Sequence, residues 1–217
     1  MRRKKLFTRL FLRYRRMLRQ RRYDLAQKVL DEMKASHPSS AWYHQGLLLS
    51  TRAFHKKTGT KTLRQEIACF KKSLEHNPRY DAAWRSLGIC YLLQRQYAKA
   101  ESAFKNSFAC ARNDIIRGDA LRYLSTTALQ QGKLKKSLAL LNRILKLKKR
   151  PPYLQLASHF IAYYRKTKNK NKIIEWARKG IMSARIVEKS GKQAYFGDKN
   201  EYQNMIREFQ SIISALH

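Results

Sequence analysis

Residues able to do covalent or metal chemistry are few in this chain, and they are far apart. The three cysteines, Cys69, Cys90 and Cys110, lie at least 20 residues from one another. An odd set at that spacing offers neither a CxxC zinc or redox site nor a disulfide framework, and reads as buried free thiols. The six histidines are His37, His44, His55, His76, His159 and His217, and no two fall within four residues. The HExxH pairing that holds catalytic zinc is therefore missing, as are GxGxxG, P-loop and GxSxG patterns. His159 sits in an apolar helical stretch and reads as a packing residue. With 14 acidic residues spread over 217 positions, paired carboxylates for acid–base work are not expected. No enzyme activity, cofactor or metal is expected. What remains is charge: 48 Lys and Arg give a formal net charge of +34. Such an excess calls for an acidic partner, which is an acidic protein or peptide, RNA, or an anionic membrane surface.

These side chains must be carried by some architecture, and the composition narrows it. The chain is 43% hydrophobic with only 8 Gly and 4 Pro, enough apolar material for a core and too few breakers for a many-turned β-sandwich. No apolar run reaches the roughly 18 residues of a spanning helix. The start, MRRKKLFTRLFLRYRRMLRQRRYDL, places 11 basic residues before the first acid, Asp24. Arg9, Arg13, Arg15 and Arg16 interrupt any signal-peptide core. The segment has the character of a mitochondrial transit peptide, so organelle targeting stands beside the main expectation of a cytoplasmic protein. Its helical pattern could also lie on an anionic membrane, with Leu6, Phe7, Leu10 and Phe11 inserting.

The strongest pattern is an internal repeat. In residues 81–114, Trp84, Leu87, Gly88 and Tyr91 spell W-x2-L-G-x2-Y, and Ala100, Phe104 and Ser107 follow at fixed spacing. The first set shares one face of a helix, the second set one face of another. Gly88 and Ala100 are small enough for the two helices to approach closely, with Gln94 to Tyr97 as the turn. This segment resembles the tetratricopeptide repeat (TPR) family. Neighbouring segments repeat the pattern more loosely. Leu121, Leu124, Ser125 and Ala128 pair with Ser137, Leu141 and Ile144, ending at Pro151 and Pro152. Ala41, Trp42, Gly46 and Leu49 pair with Ala68, Phe70, Ser73 and Leu74, with about eight extra residues around 55–62 and Pro78 in the connection. Leu10, Tyr14 and Met17 pair with Ala26, Leu30 and Met33, followed by Pro38. Ala157, Phe160, Ile161 and Tyr164 pair with Ile173, Ala177 and Gly180 across a turn at Lys166 to Lys172.

The fold class expected is all-α: a right-handed α-solenoid of about five TPR-like helix pairs with a C-terminal capping helix. The repeat domain covers 1–187, in units of about 7–40, 41–80, 81–114, 118–151 and 154–187. Residues 188–217 are a loop and an amphipathic capping helix bearing Tyr202, Met205, Ile206, Phe209, Ile212, Ile213 and Leu216. The charge is uneven along these units: +10 over 1–40, +2 over 81–114, +9 over 115–152 and zero over 188–217.

The TPR resemblance implies a non-enzymatic protein-binding scaffold or adaptor whose first helices line a concave groove. Projected onto this sequence, the groove takes Phe11, Arg15 and Arg19, then Tyr43 and Leu47, then Arg85, Ile89 and Leu92, then Arg122 and Thr126, then Arg165 and Lys166. Such a face suits an extended or helical acidic segment. The chaperone-tail clamp of some TPR domains needs asparagines, and none stands at the corresponding places. A separate basic patch is expected from Arg2, Arg3, Lys4 and Lys5, from Lys146, Lys148, Lys149 and Arg150, and from Lys168, Lys170 and Lys172. Contacts of these cations with RNA phosphates are the alternative reading. Oligomeric state is not specified by any of these features.

Overall fold

The computed structural model describes residues 2–55, 62–148, 153–190 and 199–216. Among them the chain forms eleven α-helices, and no helix is long and apolar enough to cross a membrane. The centre of the expected insertion (56–61), the Pro151–Pro152 terminator and the segment 191–198 lie outside the described residues.

The chain divides into two compact units, Met1–Ala111 and Arg112–His217. The first unit holds three helix pairs: α1 (Arg2–Arg19) with α2 (Tyr23–Ser36), α3 (Pro38–His55) with α4 (Leu63–His76), and α5 (Asp81–Leu93) with α6 (Tyr97–Cys110). Consecutive pairs touch through α2 on α3 and α4 on α5. The second unit holds α7 (Asp114–Gln130) with α8 (Leu134–Leu145) and α9 (Tyr153–Lys166) with α10 (Lys170–Ser190), and α11 (Lys199–Ser214) packs on α10. Pro38, read from sequence as part of a connection, is the first residue of α3. Its missing N–H is one that a helix start leaves unpaired in any case. The turn placed at Lys166–Lys172 is shorter, at Thr167–Asn169, because α9 and α10 reach further toward each other.

Four of the helix pairs, α1–α2, α5–α6, α7–α8 and α9–α10, are closed by one recurring turn. Arg21, Arg95 and Lys168 take positive φ (56°, 58° and 55°), and Gly132 does so at 73°. At each, two consecutive backbone N–H groups turn back onto the preceding helix. Arg95 donates to the Leu92 carbonyl and Gln96 to that of Tyr91, and Gly132 and Lys133 do the same onto Leu129 and Ala128. The left-handed residue reverses the chain and satisfies carbonyls the helix end would otherwise orphan.

Inside the pairs, a glycine of one helix receives a phenylalanine ring of the next. A Cβ on Gly46 would lie 2.6 Å from Phe70, and one on Gly88 would lie 2.5 Å from Phe104. Both rings are fully buried. In two of the pairs a serine ties the second helix to the start of the first. Ser107 Oγ donates to the Asp81 carbonyl at 3.1 Å, and Ser73 Oγ donates to that of Ser39 at 2.7 Å. The first bond spans 26 residues and the second 34, a difference of eight that sets the size of the insertion. Part of it is helical: Leu93, where α5 stops, corresponds in register to Thr51, and α3 runs on to His55.

Candidate functional site

In the first unit, three of the projected groove residues, Phe11, Arg15 and Tyr43, lie on an aromatic run. Phe7 stacks on Phe11 (5.6 Å between centroids), Phe11 meets the His44 ring at 5.1 Å, and His44 meets Tyr43 at 5.0 Å. Tyr43 then meets Tyr80 at 4.9 Å and Phe70 at 5.9 Å. Arg15, exposed, places its guanidinium 6.0 Å from the Phe11 ring. Tyr43 and Leu47 are half-buried against the cluster of Leu63, Phe70, Leu74 and Leu87. Arg85, Ile89 and Leu92 are half-buried along α5, Arg19 is exposed on α1, and Leu93 stands 58% exposed at the end of α5. Leu93, four residues after Ile89 on the same helix, is not among the projected groove residues.

His44 binds this run together. Its Nδ1–H donates to the Ser40 carbonyl at 2.8 Å, and Tyr14 Oη donates to the His44 carbonyl at 3.2 Å. Burial lowers the His44 pKa, against an opposing contribution from the Ser40 bond. Burial likewise raises that of Tyr14. Both rings are neutral and structural, and the cations at the rim carry the charge of this face.

The second unit arranges its projected residues differently. Arg122 donates from Nη2 to Asp119 Oδ1 at 3.1 Å and from Nη1 to His159 Nε2 at 3.2 Å, and lies 5.1 Å from the Tyr123 ring. His159 Nδ1 is 3.2 Å from Thr126 Oγ1, which donates to the Arg122 carbonyl at 3.2 Å. A neutral ring with its proton on Nδ1 satisfies every link of this chain. Burial first, and the Arg122 charge second, push His159 down to about 3. Arg122 and Thr126 therefore come together around His159 and not as free groove positions. Arg165 and Lys166 are exposed at the end of α9.

Of the basic patch, Arg2, Arg3 and Lys4 continue the backbone of α1, and Lys5 is exposed. Lys146 and Lys148 lie just beyond α8, while Lys149 and Arg150 lie outside the described residues. Lys168, Lys170 and Lys172 are exposed at the α9–α10 turn, where Lys172 Nζ reaches Glu175 at 2.7 Å. The membrane-insertion expectation for α1 is corrected: Phe7, Leu10 and Phe11 pack on the core of the first unit, so only Leu6 of that set is exposed. An apolar helix face consumed by α2 and α3 cannot also enter a bilayer.

Two of the three thiols are held protonated. Cys69 and Cys90 are buried, and burial together with Glu66, whose Oε2 lies 3.8 Å from Cys90 Sγ, pushes Cys90 up to about 12. Among the described residues, no group of three or more His, Cys, Asp and Glu side chains could hold a metal ion. Elsewhere in the first unit, an open cleft of about 540 Å³ lies between α4, α5 and α6, walled by Leu74, Trp84, Leu87, Tyr91 and Lys99. Trp84 serves the repeat itself, since its Nε1–H donates to the Pro78 carbonyl at 2.8 Å.

Comparison with known proteins bears on this arrangement at two levels. The family model of the tetratricopeptide repeat matches residues 69–102, from within α4, through α5, into α6. No curated protein matches the chain in sequence. Solved structures do match in fold. A thermophilic TPR protein of Thermus thermophilus, TTC0263, aligns with a TM-score of 0.67 at 14% identity, covering 95% of this chain and 98% of that one. MamA protein aligns at 0.57 and 13% identity, covering 88% and 97%. YrrB, described as a TPR protein with an unusual peptide-binding site, aligns at 0.52 and 16%, covering 87% and 92%. The sequence match and the shared helix-pair architecture agree: the chain carries a tetratricopeptide repeat and has the fold of the TPR proteins.

Proposed function

We propose that the chain is a non-enzymatic scaffold that holds an acidic protein segment against the first-helix face of its N-terminal unit. The TPR fold is one of protein-interaction scaffolds, which supports a protein or peptide as partner. The observation that carries the finer reading is the composition of that face. Leu47, Ile89 and Leu92 offer partly open apolar surface, Leu93 is exposed, Arg85 lies on the same helix as Ile89 and Leu92, and Arg15 stands over the Phe11 ring on α1. Apolar anchors on the leucines and isoleucine would supply burial, and carboxylates of the segment would take charge-assisted hydrogen bonds from the guanidinium forks. The chain's net charge of +34 favours an acidic segment over a neutral one and speeds its arrival.

The test uses two labelled peptides, one alternating Leu and Glu and one alternating Leu and Lys, titrated against the full chain at moderate salt. The Glu peptide binds and the Lys peptide does not. Arg15→Glu combined with Ile89→Ala weakens the Glu peptide by about tenfold or more, with helical content unchanged. Equal binding of both peptides, or an unaffected double variant, would sink the reading.

A further inference from the structure

The core accounts for one face of α1 and leaves the other open. Leu10, Tyr14, Phe7, Phe11, Met17 and Leu18 pack into the first unit. At about 100° per residue, the remaining arc carries Lys5, Arg9, Leu12, Arg13, Arg16 and Arg19, and all six are exposed. Their five cations span about 120° of that arc and, at 1.5 Å per residue, about 21 Å of length. The helix contains no acid. Of the five, only Arg13 makes an ion pair among the described residues, to Glu32 at 2.9 Å with both partners about half exposed. A shallow cleft of about 530 Å³ opens along Lys5, Thr8, Arg9 and Leu12.

We propose that this face of α1 docks on the phosphate backbone of double-helical RNA without reading its sequence. Three features separate this occupant from others. A protein partner needs an apolar centre with charge at the rim, whereas here the centre is cationic, with Leu12 standing among the cations and Leu6 at the edge of the arc. A membrane needs a contiguous set of apolar side chains to insert, and Phe7, Leu10, Phe11, Met17 and Leu18 pack on the core of the first unit, which leaves Leu6 and Leu12 exposed and apart. Reading DNA bases in the major groove calls on Asn and Gln as well as Arg, and no Asn or Gln occurs between Lys5 and Arg19. The A-form major groove is deep and narrow and closed to base reading. It presents two phosphate rows close together, which suits a helix with cations on both sides of its exposed crest. Arginine, four of the five, makes the planar bidentate contact with phosphate.

The experiment titrates the full chain into a labelled short RNA duplex between about 50 and 200 mM salt. Arg9→Glu with Arg16→Glu is compared with Lys28→Glu and Lys71→Glu, which lower the net charge equally at exposed positions elsewhere in the same unit. The α1 variant loses affinity by about tenfold or more at low salt, and its slope of log K against log salt shrinks by about two. The control pair stays within about twofold, and Arg9→Lys with Arg16→Lys retains the slope. The proposal is overturned by equal losses in both charge-reversed proteins. Duplex DNA bound as tightly as RNA, binding to phosphatidylserine vesicles that RNA does not compete, or no RNA binding at low salt would each overturn it too.

Discussion

Arg122 and His159 show how neighbours decide what a titratable side chain is for. Both are visible in the sequence, one as a cation on a first helix and the other as a histidine on an apolar stretch. Only packing α9 against α7 joins them into a hydrogen-bonded chain with Asp119 and Thr126. The arginine charge is held by Asp119 and the imidazole stays neutral, at about 3. An unfolded chain protonates this histidine near 6.5, so the folded pKa is the lower of the two. Between those values the unfolded state binds the extra proton. The contribution to stability is therefore complete above about pH 6.5 and is lost as pH falls toward 3. Urea unfolding should show a loss of about 2 kcal/mol between pH 7 and pH 5 from this group. His159→Gln should flatten that part of the profile, and an unchanged slope in the variant would assign the acid sensitivity elsewhere.

Among the helices, pairs are held at close range by rings seated on glycines. Gly46 meets Phe70, Gly88 meets Phe104, and Gly180 meets Phe209, where an added Cβ would lie 2.5 Å from the ring. The first two contacts join helices of one pair. The third joins α10 to α11, so the terminal helix docks on α10 as a second helix docks on a first. The smallness of Gly88 and Ala100 was legible as a device for close approach. The role of Phe209 was not, because residues 188–198 separate it from the repeat pattern. Gly132 is a different case: its φ is +73° and nothing lies within 4 Å of an added Cβ. Gly88→Ala should cost about 1–3 kcal/mol through overpacking against a buried ring. Gly132→Ala should cost about 1 kcal/mol, from backbone strain alone. Thermal unfolding of the two variants checks the ranking, and a larger loss at Gly132 would contradict it. Arg21, Arg95 and Lys168 take the same turn without glycine, which is why these turns escape a search for Gly signals.

For the molecule as a whole the governing quantity is the net charge of +34. Like charges in a folded chain repel, and salt screens that repulsion over about 10 Å at 0.1 M. Tm should rise by a few degrees between about 50 and 300 mM sodium chloride, as it would for a compact state under self-repulsion. A falling Tm would mean that ion pairs such as Arg13–Glu32 and Arg52–Asp24 outweigh the excess. The helical class, the pairing of helices and the size of the insertion could all be read from the order of residues, because they follow from local periodicity and fixed spacing. The basic character of the chain is a matter of composition and needs no fold. Which cations are free to meet a partner depends instead on residues distant in the chain, so it emerges only when the helices pack. Arg122 is drawn in by Asp119 and His159, whereas Arg9 and Arg16 are left facing outward because the apolar side of α1 is held by α2 and α3.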